Sequence, residues 1–260
     1  MEQRVTITVA DGVADVRLNR ADKMNALDPA MFAGINDAIA QLAGMKDVRV
    51  AVLSGEGRAF CAGLDMASMA GGGSGNDLAA RSHGLANAPQ NVAWGWRELP
   101  MPVIAAVHGV AVGGGFQVMS GADIRIVHPA TRMSIRETYW GLVPDMAGVA
   151  LWRTLARDDV LRELTYTARE FSGAEALGYG FATRLDEEPR TAALALAREI
   201  AGRNPQAVRA SKRLYNLAAD ADAAAVLRAE SAEQIALLRS PNQIEAVRAN
   251  MEKRAAVFAD

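Results

Sequence analysis

Two apolar runs in this chain each lead directly into a glycine-bearing turn, and that repeated arrangement narrows the fold more than any other feature. Val48–Leu53 passes through Ser54-Gly55-Glu56-Gly57 into Arg58-Ala59-Phe60-Cys61-Ala62-Gly63-Leu64-Asp65. Val103–Val107 passes into His108-Gly109-Val110-Ala111-Val112-Gly113-Gly114-Gly115-Phe116-Gln117. Short apolar runs bounded by turn residues read as buried strands. Glycine lets backbone approach a ligand closely, and the triple glycine stands where a helix begins, leaving N–H groups without intrahelical partners. Two such groups converging from separate turns can bind one oxygen that gains negative charge during a reaction. The competing reading makes both stretches tight turns needed only for packing. Dinucleotide G-x-G-x-x-G, Walker A and H-E-x-x-H patterns are absent, so those chemistries drop out.

The rest of the chain fits strands interleaved with helices, followed by a helical tail. Val5–Val9 and Val13–Leu18 alternate around Asp11-Gly12, a hairpin signal. Asp28 as cap and Pro29 at the first helical position open a helix with Phe32, Ile35, Ile39 and Leu42 on one face. Met66–Asn76 turns small and Gly-rich and reads as a mobile surface loop, and a helix bearing Trp94 and Trp96 follows to about Leu99. Ile124–Val127 and Met133–Ile135 read as strands. Beyond Met146 the pattern is helical except at Phe181–Leu185, with breaks at Asn204-Pro205 and Ser240-Pro241. The expected organisation is an α/β core over residues 1–190 and a C-terminal helical region over 191–260.

Composition removes several classes of function. The net charge is -2 and no block of Lys or Arg suits a phosphate backbone, so no nucleic-acid partner is expected. No apolar run reaches the roughly 18 residues of a membrane span, so no membrane association is expected. The first ten residues carry a strand pattern rather than a signal peptide. The single cysteine, Cys61, excludes an intramolecular disulfide and suits a reducing, cytoplasmic setting; it reads as a buried filler rather than a nucleophile. His108 and His128, at strand ends, read as structural. No metal is expected.

Four segments, Lys23–Asp28 (KMNALD), Ala59–Asp65 (AFCAGLD), Pro102–Gly115 (PVIAAVHGVAVGGG) and Gly141–Gly148 (GLVPDMAG), closely resemble the crotonase (enoyl-CoA hydratase/isomerase) superfamily, in its order and spacing across nearly the whole chain. The resemblance implies a crotonase-like spiral of ββα units with a C-terminal helical trimerisation region, assembled as a homotrimer or a dimer of trimers. It implies an acyl-CoA substrate and no separate cofactor, since coenzyme A is part of that substrate. It further implies an oxyanion hole from the backbone N–H groups of Leu64 and Gly114. Contacts to coenzyme A would come from Lys23, Met24, Ala26, Ala62 and Asp65, and from Lys253 and Phe258 in the tail near a neighbouring subunit's site.

The side chains then decide the reaction. Hydratases resembling this chain have Glu at positions 117 and 137; here they are Gln117 and Glu137. An amide cannot take a proton near neutral pH, so Gln117 is left to orient water or substrate. Asp145 supplies another carboxylate, and the superfamily's dienoyl-CoA isomerases have acids at positions 137 and 145, with a third acid where this chain has Gln117. The resemblance therefore favours double-bond isomerisation, with Glu137 working near the α-carbon and Asp145 at the distal carbon. Trp140, Leu142 and Phe116 are expected to form an apolar wall raising the carboxyl pKa values. On its own, Asp145 would read as an N-cap and Glu137 as a solvated acid at a helix start. Hydration of a 2-enoyl-CoA and acyl-CoA binding without turnover remain the alternatives. A dehalogenase-like use of Asp145 lacks the His it would need on the Leu85–Leu99 segment.

Overall fold

The structure, a computed structural model, describes residues 3–70 and 77–260. Most of the Gly-rich stretch read as a loop lies outside the described residues. Its leading part, Met66–Ala70, is a short helix, α2, rather than loop.

The first hairpin forms as the Asp11-Gly12 signal predicts. Strands β1 (Val5–Ala10) and β2 (Val13–Leu18) pair antiparallel around these two residues, both with positive φ (51° and 75°), the geometry that matches strand twist. Helix α1 (Pro29–Gly44) starts where Asp28 accepts the Met31 N–H at 2.7 Å. β3 (Val50–Gly55), α3 (Ala88–Glu98), β4 (Val103–Val107), β5 (Val110–Val112), α4 (Gly114–Ser120), β6 (Ile124–Val127) and β7 (Arg132–Ser134) follow. A 3-10 turn (Glu137–Trp140) then leads to α5 (Gly148–Trp152), α6 (Asp158–Thr167), β8 (Phe171–Ser172), α7 (Gly173–Tyr179) and β9 (Arg184–Leu185). The chain closes with α8 (Pro189–Ala201), α9 (Pro205–Ala218), α10 (Ala223–Leu237) and α11 (Pro241–Glu252).

One sheet runs in the order β1-β2-β3-β4-β6-β9, parallel from β2 onward; a second, of β5-β7-β8, carries one parallel and one antiparallel pairing. β3 is buried on both faces, which its unbroken apolar run requires. Ala51 and Leu53 face the main core with Phe60, Trp96 and Phe116, while Val50 and Val52 face Ala193, Ala197 and Ala201 of α8. Alternation at period two thus feeds two cores from one strand. Small alanines let α8 lie close against the sheet, so the tail begins as a layer of the core. Farther on, α10 buries none of its side chains, and Leu227, Ile235, Ile244 and Met251 of α10 and α11 stand exposed. Among the described residues no helix is long and apolar enough to cross a membrane.

Candidate active site

The two glycine-bearing turns lie side by side because β5 stitches them together. The Cys61 N–H donates to the Val110 carbonyl at 3.0 Å, and the Val112 N–H donates to the Cys61 carbonyl at 3.2 Å. No side chain fits between them: a Cβ on Gly115 would lie 2.2 Å from the Cys61 carbonyl oxygen. One on Gly63, whose φ is +87°, would lie 2.5 Å from the Val112 carbonyl oxygen and 3.6 Å from the Gly114 nitrogen. Asn25, buried and left-handed, braces the first turn by donating to the Ala59 and Phe60 carbonyls at 2.9 and 3.2 Å.

The direction of the Leu64 N–H follows from its neighbours. In the parallel bridge between Leu27 and Leu64, the Leu27 N–H donates to the Gly63 carbonyl (2.8 Å) and the Asp65 N–H donates to the Leu27 carbonyl (3.1 Å). Leu64 itself must point its N–H to the other side. Gly114 is the first residue of α4 and has no carbonyl one turn back within the helix. Among the described residues neither N–H finds an acceptor. Both residues line one cavity of about 400 Å³, together with Ala62, Val112, Arg136, Glu137, Trp140, Leu142, Asp145 and Met146. Two free amides and two carboxyl groups therefore share a concave, largely apolar space, the form that small-ligand sites commonly take.

Glu137 is half-buried, and its Oε2 is shielded from solvent with no hydrogen-bond partner among the described residues. Burial pushes its pKa up; backbone N–H groups and the Gln117 amide pull it back, and the Asp145 charge adds to the rise. Burial also raises the pKa of Asp145, although that side chain stands at the exposed mouth of the cavity. Asp145 is not a helix cap: α5 starts at Gly148 behind Ala147, two residues too late, with no side-chain cap. Nor is Glu137 a solvated acid.

Gln117, expected to orient water or substrate, sits behind Glu137. Its side chain is sealed off from solvent and lies outside the cavity lining. Its Oε1 accepts the Met146 and Gly148 N–H groups at 3.0 and 2.9 Å, and its Nε2 donates to Glu137 Oε1 at 2.6 Å. Trp140 and Leu142 do form the apolar wall, but Phe116 does not. As Gln117's neighbour on α4 it points into the core, against Trp152, Phe171 and Phe181. Trp96 is likewise sealed in the core and Trp94 lies outside the cavity lining.

The residues expected to hold coenzyme A divide into two groups. Lys23 is exposed, Met24 is half-buried and Ala26 is buried; the Met24 carbonyl accepts the Ala62 N–H at 2.9 Å, so this segment runs beside the first turn. Asp65 is held by Arg20 at 2.6 Å, which keeps its carboxyl below the usual range and commits it to bracing the turn. Lys253 ends α11, and the Phe258 carbonyl accepts from Arg49 at 2.9 Å. Arg49 precedes β3, at the opposite end of that strand from the site, so a single chain does not bring the tail to its own cavity. Arg20, Asn25, Arg136 and Met146 belong to the site but escaped the sequence reading, because nothing in their spacing pairs them with these turns. Cys61 is buried, donates from Sγ to the Asn25 carbonyl at 3.1 Å, and has its pKa pushed up to about 12 by that burial.

The whole chain is similar to known proteins. The chain is 31% identical over 256 residues to the human mitochondrial Delta(3,5)-Delta(2,4)-dienoyl-CoA isomerase, covering 93% of this chain and 77% of that one. It is also 31% identical to the peroxisomal enzyme of that name from Arabidopsis thaliana, covering 93% and 91%. The solved enoyl-CoA hydratase of Mycobacterium tuberculosis H37Rv superposes with a TM-score of 0.87 at 27% identity, over 99% of each chain. The family model described as Enoyl-CoA hydratase/isomerase matches residues 8–260, and the chain belongs to that family, within the crotonase superfamily.

Proposed function

We propose that this chain isomerises double bonds of enoyl-CoA thioesters, with 3,5-dienoyl-CoA as the favoured substrate class and fatty-acid oxidation as its setting. The Leu64 and Gly114 amides hold the thioester oxygen. Glu137, as carboxylate, takes a proton from C2, and the C–H electron pair spreads through the diene onto that oxygen. Asp145, entering as the acid, returns a proton at C6 as the electrons flow back, leaving double bonds at C2 and C4. One proton leaves the carbon chain and one joins it, so no water is consumed. The two acids hold one proton between them before and after the reaction and two while the enolate lasts. A proton exchange that returns Glu137 to carboxylate and Asp145 to acid resets them; two carboxyl groups whose pKa values are both raised suit this traffic.

The observation that carries this reading is the shared cavity: two free amides, Glu137 with an unpartnered oxygen, and Asp145. Hydration of a 2-enoyl-CoA is favoured by the likeness to a solved enoyl-CoA hydratase. Against it stands Gln117, a locked amide where that chemistry would draw on a second carboxylate. Exposed Leu227, Ile235, Ile244 and Met251 suit contacts with further copies, as a trimer or a pair of trimers, and the lone thiol suits the cytoplasm. The test is turnover of 3,5-dienoyl-, 3-enoyl- and 2-enoyl-CoA by the purified protein. The 3,5-diene is expected to react fastest; faster hydration of the 2-enoyl ester would sink the proposal. Binding without turnover would leave no deuterium exchange at the α-carbon.

A further inference from the structure

Resting on that reading, we infer that Gln117 is a positioning residue that selects which oxygen of Glu137 moves the proton and ties the Asp145 turn to it. The amide has no freedom to flip. Its oxygen faces the N–H groups of Met146 and Gly148 at 3.0 and 2.9 Å; turned over, an N–H would meet two other N–H donors. Nε2 therefore has to face Glu137, which it reaches at 2.6 Å on Oε1.

Oε1 is thus an acceptor whatever the protonation state of Glu137. A proton on Oε1 pointing at the amide would oppose the Nε2–H, so the proton resides on Oε2. That is the oxygen with no bond to the protein. The side chain that fixes this choice also clamps the backbone just beyond Asp145, so one buried amide holds the two acids in register. Arg136 and Asp145 are the other charged groups lining the cavity with Glu137, and α4 contributes no charged side chain.

The sign of the effect follows. Donation by Nε2 favours the carboxylate and opposes the rise caused by burial. Gln117→Met keeps the bulk but removes both the donor to Glu137 and the acceptor for the Met146 and Gly148 N–H groups, so the Glu137 pKa rises further and the Asp145 turn loses its clamp. Because the first step needs the carboxylate, the acid limb of the kcat profile moves to higher pH. Gln117→Glu places a second carboxyl group against Oε1, and its charge moves that limb farther in the same direction.

Both variants are expected to lose at least about tenfold in kcat at neutral pH, with KM within about threefold, because Gln117 itself does not line the cavity. A merely structural residue would lower stability without moving the pH profile. If both variants fold, turn over and keep the wild-type profile, the inference fails. Should neither fold, difference infrared spectroscopy of the unmodified enzyme decides. A protonated carboxyl band absent from Glu137→Gln must shift when side-chain amides are labelled with nitrogen-15, and an unmoved band overturns the assignment. An unmodified enzyme inactive on every dienoyl- and enoyl-CoA would instead overturn the function proposed above.

Discussion

Glu137 and Asp145 meet the same cavity under opposite degrees of restraint. Glu137 opens a 3-10 turn backed by α4, with one oxygen hydrogen-bonded and the other shielded. Asp145 lies in an irregular turn at the mouth, exposed, and its side chain takes no hydrogen bond from another residue among the described ones. The contrast matches what each carbon demands. In the isomerisation proposed here the α-carbon is fixed beside the thioester oxygen, so its acid can be held rigidly. A distal carbon shifts with the conformation of the chain, so its acid gains from latitude. Precision is supplied where the substrate is pinned, and freedom where it is not.

Substitutions should separate the two. The largest effect is expected from Glu137→Gln, with kcat falling about 10²- to 10⁴-fold, the usual worth of a positioned acid–base group. Thioester affinity, measured by calorimetry, should stay within a few-fold. Next comes Asp145→Asn, which should cost about 10²-fold in formation of the 2,4-dienoyl product. It should still allow deuterium to wash into the α-carbon, because Glu137 alone performs that exchange. Equal loss of exchange and product would break the comparison and make the two acids one unit. The smallest effect is expected from Trp140→Ala, a few-fold in rate. Opening the wall admits water, which lowers a carboxyl pKa that burial had raised. The acid limb of the rate profile then moves to lower pH, opposite in sign to the Gln117 variants.

How much of this was legible in the sequence depends on the range of the interaction. Local chemistry read well. Asp11-Gly12 makes its hairpin, Asp28-Pro29 starts its helix, and the triple glycine meets the turn at Cys61 where no Cβ fits. The failures lie where neighbours in sequence part company in space. Phe116 and Gln117 are adjacent on α4, yet one joins an aromatic cluster in the core while the other reaches Glu137 and the turn at Met146. Asp145 resembles a cap until the helix proves to begin two residues later than a cap requires. The link from Arg20 to Asp65 spans a separation that no periodicity encodes.

Cys61 lies three residues before Leu64, whose amide is proposed to grip a thioester carbonyl, and a reactive thiol there would be a hazard. Acyl groups pass readily from one sulfur to another when the receiving sulfur is ionised. With its proton committed to the Asn25 carbonyl and its acidity suppressed by burial, this sulfur is a poor acceptor. The cargo stays on its own carrier, and thiol-alkylating reagents should leave Cys61 largely untouched.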